Sequence, residues 1–414
     1  MKIAIIDHVG NKGGVSRVIR KLVPGMLATN NNINITYFGN PMSMERENIF
    51  KDLDHKNINI KKLNSLYFSE DYTSKNYLKK IAKVLQKKYK NVINFLPPVF
   101  SGNLKKEIEK KVVNFDIAYF PWPYLIEWPN LNCSVAATFH DFNFKYYFSG
   151  VPTYNKSQLN LLNKQVPVWL KNSTIIVSNK FTASELKNFY SELGKEINVI
   201  NLGPYSDTKN DYDKIESETV LKKYKITKPY IFCGTNTAAH KNLNPLFAAH
   251  NLLKNKGIII KLVITGAGTE IIRGNSCEVG LKLNSENPDV LGTGYINNKE
   301  LDIIINNSSL VVNPEIYTSD NGPATDGWAR SIPVIISNIP SNVEHLTDQK
   351  VNAELFNPRD PNDLAEKILQ VLNNSEKYKN IAIESKKQME KFNWDKASKE
   401  YLEVFKKTIS NFKN

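Results

Sequence analysis

Residues 309–335, SLVVNPEIYTSDNGPATDGWARSIPVI, decide the fold class. The β-branched run LVV ends at Asn313-Pro314, SDNGP supplies a turn in which Gly322 is free to take positive φ, and ATDGWAR reads as a helix. Pro333 then opens a second apolar strand, PVI. Strand, loop, helix and strand in so short a span imply a βαβ unit with parallel strands, and its functional loop lies at the strands' carboxyl ends. Asp326 sits inside the helix, within reach of a ligand whose phosphates rest at the helix start. Asp320 precedes Asn-Gly and reads as a turn former. Of the two, Asp326 is the better candidate for hydrogen-bonding sugar hydroxyls.

The same alternation runs outward in both directions. Before the quoted stretch come KIAIIDHV, SRVIRKLVPGML, NINITYFG, FDIAYF, SVAATFHD, TIIVSN, KFTASELKNFY and INVINLG. After a polar lapse, NDYDKIESETVLKKY, the pattern restarts with YIFCG, NLNPLFAAHNLLKN, IIIKLVITGAG and NKELDIIINNS. The chain therefore divides into an N-terminal doubly wound domain over 1–205, a linker over 206–226 and a second domain over 227–385. A terminal helix over 386–414 presents Trp394, Ala397, Tyr401, Leu402, Val404 and Phe405 on one face and is expected to pack back on the first domain. Asp211 and Asp213 in the lapse read as solvated linker residues.

Bulk properties agree with two cores. The 414 residues exceed what a single core holds, and 41% hydrophobic with 23% charged residues is a globular composition. No apolar run approaches the roughly 20 residues a membrane span needs, and the start lacks the long apolar stretch of a signal peptide. Cys133, Cys233 and Cys277 are too scattered for a disulfide framework or a metal site and read as reduced, mostly buried thiols of a cytoplasmic protein. The net charge of +14 favours an anionic partner, and phosphorylated small molecules fit it. Nucleic acid is disfavoured, because no aromatic-basic platform or known module is present.

Polar residues at strand ends supply the candidate sites. Gly13 and Gly14 lie at the turn after the first strand, where backbone N–H groups favour anions. His140 and Asp141 follow the strand SVAATF, and an imidazole there suits proton or hydrogen-bond work. Lys241-Asn242 stand at a helix start after YIFC. Helix polarity disfavours a cation there, so its placement asks for a bound anion. Arg330 reads as a helix-surface residue, with an extra cation for the site as the alternative. Residues 77–92, YLKKIAKVLQKKYKNV, form a basic amphipathic pattern, readable as an anionic-membrane contact or as an ordinary surface helix.

The order of these pieces, with VSNKFTASEL, VITGAG, GYINNKEL, FNPRDPNDLAEKI and FNWDKAS, resembles the retaining glycosyltransferases of the GT-B fold, family 4. The resemblance covers nearly the whole chain and is strongest over 230–372. It implies an α/β protein with two Rossmann-like doubly wound domains facing across a cleft. It also implies metal-independent transfer of a sugar from a nucleotide diphosphate donor to a glycan or lipid-linked acceptor, in cell-surface polysaccharide or glycoconjugate synthesis. By position, Lys241 would hold the donor diphosphate and Gly294, Tyr295 and Ile296 would line the nucleobase. His140 would lie near the transferred sugar, with Asp141 on the acceptor side, and Gly13 and Gly14 near the phosphates. Asp326 takes the place of the second acid of the family's E-x7-E segment, whose carboxylate binds ribose.

Two positions depart from the family pattern. Thr318 stands where the first acid falls, leaving Asp320, Asn321 and Gly322 to make the sugar contact, and no Arg precedes Lys241. The alternatives are a non-catalytic sugar-nucleotide or glycan-binding protein of the same fold, and a nucleotide-sugar 2-epimerase. No cofactor is called for beyond the substrate. The expected location is the cytoplasm, with the inner face of the membrane as a peripheral site.

Overall fold

The computed structural model describes residues 1–9, 14–30, 32–39, 50, 56–64, 101–146, 154–205, 212–273 and 289–413. Gly13, Asp211, Cys277 and the basic stretch 77–92 lie outside the described residues. The chain forms two units: Met1–Tyr146 with Tyr154–Asn201 and Trp394–Asn414, and Leu202–Asn393.

In the first unit the described residues form seven parallel strands: β1 (Lys2–Asp7), β2 (Asn34–Gly39), β3 (Ile58–Lys62), β4 (Ile117–Phe120), β5 (Ser134–Thr138), β6 (Thr174–Val177) and β7 (Ile197–Val199). Their order is β3-β2-β1-β4-β5-β6-β7. Among the described residues before the terminal helix, the unit's helices are α1 (Gly14–Thr29), α2 (Ser101–Lys111), α3 (Lys156–Asn172) and α4 (Lys180–Phe189). Asparagine caps set the starts of two of them: Asn155 accepts from Gln158 N, and Asn179 from Thr182 N. Strands β4 and β5 are buried throughout, as expected where helices cover both faces of a parallel sheet. Edge strand β3 has four exposed residues in five and so carries no apolar signal.

The second unit repeats the plan with β8 (Tyr230–Gly234), β9 (Lys261–Thr265), β10 (Val290–Gly292), β11 (Leu310–Asn313), β12 (Val334–Ser337) and β13 (Glu354–Phe356). All pair in parallel, in the order β10-β9-β8-β11-β12-β13. Around them lie α5 (Lys214–Lys223), α6 (Leu243–Asn255), α7 (Asn298–Asn306), α8 (Gly322–Trp328), α9 (Pro340–Asp348), α10 (Pro361–Asn373) and α11 (Ser375–Met389). The polar lapse thus contains a helix. Asp213 is exposed, as a solvated residue would be, and it is also the N-cap of α5, accepting from Glu216 N at 2.7 Å. Only Ser217, Val220 and Leu221 of that helix are buried, a stripe too narrow to register as periodicity.

The terminal helix α12 (Trp394–Lys413) belongs to the first unit and lies against α1 and β5. Its Ser398 hydroxyl donates to Leu22 O at 3.1 Å, and the Tyr401 hydroxyl joins Thr138 Oγ1, which pairs with the Tyr119 hydroxyl. Ala397, Tyr401, Leu402 and Phe405 are buried. Cys133 and Cys233 are free and buried, and burial pushes both thiols up, Cys133 to about 11. Among the described residues no helix is long and apolar enough to cross a membrane.

Candidate functional site

In each sheet the strand order reverses once, between β1 and β4 and between β8 and β11. Open α/β sheets bind ligands outside the carboxyl ends of the strands at such a point. The residues to weigh are therefore those leaving these four strands.

In the second unit, β8 ends at Gly234 and leads into a loop in which the Asn236 carboxamide accepts from Ala238 N. A 3-10 turn, Ala239–Lys241, follows, and Asn242 at φ 54 redirects the chain into α6. Strand β11 ends at Asn313 and continues through Pro314 and Glu315. Three bonds stitch the two exits together. Ile316 N donates to His240 O at 2.9 Å, Asn242 Nδ2 donates to Pro314 O at 2.8 Å, and Lys241 Nζ forms an ion pair with Glu315 Oε1 at 2.8 Å. Asn242 Nδ2 also donates to Pro358 O at 2.8 Å, so its side chain serves as a clamp between loops. The Lys241 side chain keeps 18% exposure and that of Glu315 only 4%. Burial, with the neighbouring Lys241 charge, lowers His240 to about 3, which keeps that imidazole neutral.

The opening stretch differs from its sequence reading at Gly322, which is the first residue of α8 and does not take positive φ. Glycine is needed there for space, since a Cβ would come within 2.8 Å of the Tyr205 ring. The Tyr205 hydroxyl donates to Asp320 Oδ2, giving the turn acid a protein partner. Asn321 caps α8 with its own side chain, accepting from Ala324 N at 3.4 Å and from Asn313 Nδ2. It passes the chain on by donating to Asn342 Oδ1, whose amide donates to Ser337 O, both at 2.8 Å. Asp326 is buried within α8, and Thr318 donates to Asp320 O. Arg330 is not on the helix surface. It is buried in an ion pair with Asp302 at 3.2 Å, and so is not an extra cation for the site.

The loop after β10 exposes one of its three candidate residues and packs another into the core. Gly294 has φ 70 with Glu270 within 2.9 Å of where a Cβ would stand, and its N–H receives Thr269 Oγ1 as acceptor at 3.0 Å. Tyr295 is 38% exposed, whereas Ile296 is buried in the core.

In the first unit the histidines that leave β1 and β5 are both held by the loop after β4. His140 Nε2 donates to Pro121 O at 2.9 Å and His8 Nε2 to Tyr124 O at 3.0 Å. His8 is buried, and burial lowers it to about 4. Asp141 accepts from Asn143 N through Oδ1, while its carbonyl accepts from the Tyr124 hydroxyl. Gly14 opens α1.

Sequence reasoning missed Glu315, Asn313 and Tyr205. An acid two residues past a buried strand that faces a lysine loop was a usable signal for Glu315. Nothing local marks Tyr205, which reaches Asp320 across 115 residues.

The comparisons with known proteins agree with this layout. A glycosyltransferase of Methanocaldococcus jannaschii, itself uncharacterized, is 26% identical over 149 residues, 35% of this chain and 37% of that protein's length. The sucrose-phosphate synthase of Thermosynechococcus elongatus superposes with a TM-score of 0.70 at 16% identity, covering 99% of this chain and 100% of that one. HepE of Anabaena in complex with UDP-glucose gives 0.65 at 12% identity over 98% and 100%. The two parallel-sheet units thus have the GT-B type of fold. Within the second unit, residues 216–388 match the family glycosyl transferases group 1.

Proposed function

We propose that this protein is a glycosyltransferase that binds a nucleotide diphosphate sugar on its second unit and a glycan or glycolipid acceptor on its first. The observation that carries this reading is the Lys241 ammonium, held at the carboxyl ends of β8 and β11 where the strand order reverses. A cation fixed at that point, partly open to solvent, suits a diphosphate. Tyr295 offers an exposed ring to a nucleobase at the β10 exit, beyond β9 from the switch point, and Asp326 is assigned to ribose. His140 is assigned to the transferred sugar and Asp141 to the acceptor side.

In the reaction an acceptor hydroxyl oxygen bonds to the anomeric carbon as the bond from that carbon to the phosphate oxygen breaks. The departing nucleoside diphosphate takes the hydroxyl proton, and configuration is retained. Lys241 lowers the barrier by meeting charge that grows on the leaving phosphate. The likeness to HepE with UDP-glucose makes UDP-hexoses the first donors to try.

A thermal-shift and calorimetry panel of UDP- and GDP-sugars tests the reading, since a ligand of the folded state raises the midpoint. Donor binding followed by hydrolysis or transfer is expected, and a protein that binds none of the panel is not this enzyme. A second reading, a non-catalytic nucleotide-sugar binder, gains support from the Glu315 carboxylate that offsets Lys241. Binding with no turnover on any donor would select it.

A further inference from the structure

We propose that Glu315 is the positioning residue of the Lys241 site: its carboxylate holds the ammonium at the ends of β8 and β11 and sets how strongly that ammonium draws a diphosphate. The inference rests on the donor-site reading and deepens it. The carboxylate is nearly fully buried, yet its Oε2 has no hydrogen-bond partner among the described residues. Burying a carboxylate on a single ion pair is costly, and an apolar residue would pack there without that cost. The pair has a geometric result that packing alone would not give. A lysine has four rotatable side-chain bonds and would otherwise sample solvent; here it is pinned 2.8 Å from an acid whose own backbone is tied to His240 O by the next residue, Ile316.

The placement also answers the departure at Thr318. That hydroxyl donates to Asp320 O, so no acid stands at the position. The site's acid is three residues earlier, and it touches the lysine directly. Because the pair is neutral overall, Glu315 weakens attraction for a free diphosphate while fixing where the ammonium meets the leaving group. Removing the acid and moving the acid should therefore have different signatures.

The test uses the full chain, calorimetry with UDP, GDP and inorganic pyrophosphate, and turnover of the donor found in the panel. Glu315→Gln should bind the nucleoside diphosphate at least about threefold tighter, because a nearby negative charge is gone. Its kcat should fall about tenfold or more, because the ammonium is no longer held in place. Glu315→Asp, the same charge on a shorter arm, should lower kcat without tightening the nucleoside diphosphate. A merely structural residue would lower stability and weaken binding together; that result, or wild-type affinity in Glu315→Gln, overturns the proposal. Should Glu315→Gln fold poorly, wild-type kcat in Glu315→Asp overturns it instead. A wild-type protein that binds none of the three probes refutes the donor-site reading itself, which is settled before any variant is made.

Discussion

Lys241 shows how far single residues could be read and where reading stopped. Its type and its place after YIFC asked for an anion, and the structure supplies one from within, Glu315. A Lys241→Ala variant therefore does more than remove the proposed diphosphate contact, because it strands a buried carboxylate. The expected cost is roughly 2–4 kcal/mol, toward the low side of buried pairs since Lys241 keeps some exposure. The double variant Lys241→Met/Glu315→Gln should recover most of that stability in urea denaturation while staying inactive. A double variant no more stable than the single one would show that the pair carries little of the loss. The acid was not legible because E-x7-E spacing directs attention to Thr318 and Asp326, and spacing says nothing about which side chain a loop turns toward a lysine.

Elements were legible where burial imposed a period and illegible where it did not. Buried strands such as β4, β8 and β11 read as apolar runs, but β3 is exposed and α5 buries three residues. Helix α5 is held at its start by a cap, so Asp213→Ala should cost about 1 kcal/mol, measurable by denaturation of the full chain. Helix α8 makes a sharper case. Gly322→Ala puts a Cβ 2.8 Å from the Tyr205 ring and should displace that ring from Asp320. The expected loss is about 1–3 kcal/mol, with altered Tyr205 fluorescence or side-chain signals. An unchanged stability would mean that the ring moves freely.

At the scale of the whole molecule, each unit buries at least one histidine whose proton affinity is lowered. Burial lowers His8 to about 4, His240 to about 3 and His250 as well. An unfolded histidine takes up its proton near 6.5, so between that value and the folded values the unfolded chain binds more protons. Stability is therefore fully present above about 6.5 and is lost as pH falls, by up to about 1.4 kcal/mol per pH unit for each such group. The Tm should start to drop between pH 7 and 5, above the range in which carboxylates titrate, and His240→Gln should flatten the drop in the second unit. The terminal helix is the other whole-molecule feature. Tyr401→Ala removes a fully buried ring from against Tyr119 and Phe405 and should destabilise the first unit by about 3–5 kcal/mol.

The sequence by itself determined two rounds of alternating strands and helices and the polar residues that leave the strand ends. It did so because burial on both faces of a parallel sheet forces continuous apolar runs, and turn residues must follow them. Only the tertiary structure decided which strands lie side by side, and hence that β8 and β11 deliver Lys241 to Glu315. It also decided that Asn321 caps its own helix, that Tyr205 fills the space over Gly322, and that Arg330 is spent on Asp302. Each of these is a contact between residues far apart in sequence or a direction taken by a side chain. Local pattern carries neither, because many chain-distant pairings are compatible with the same run of apolar and polar residues.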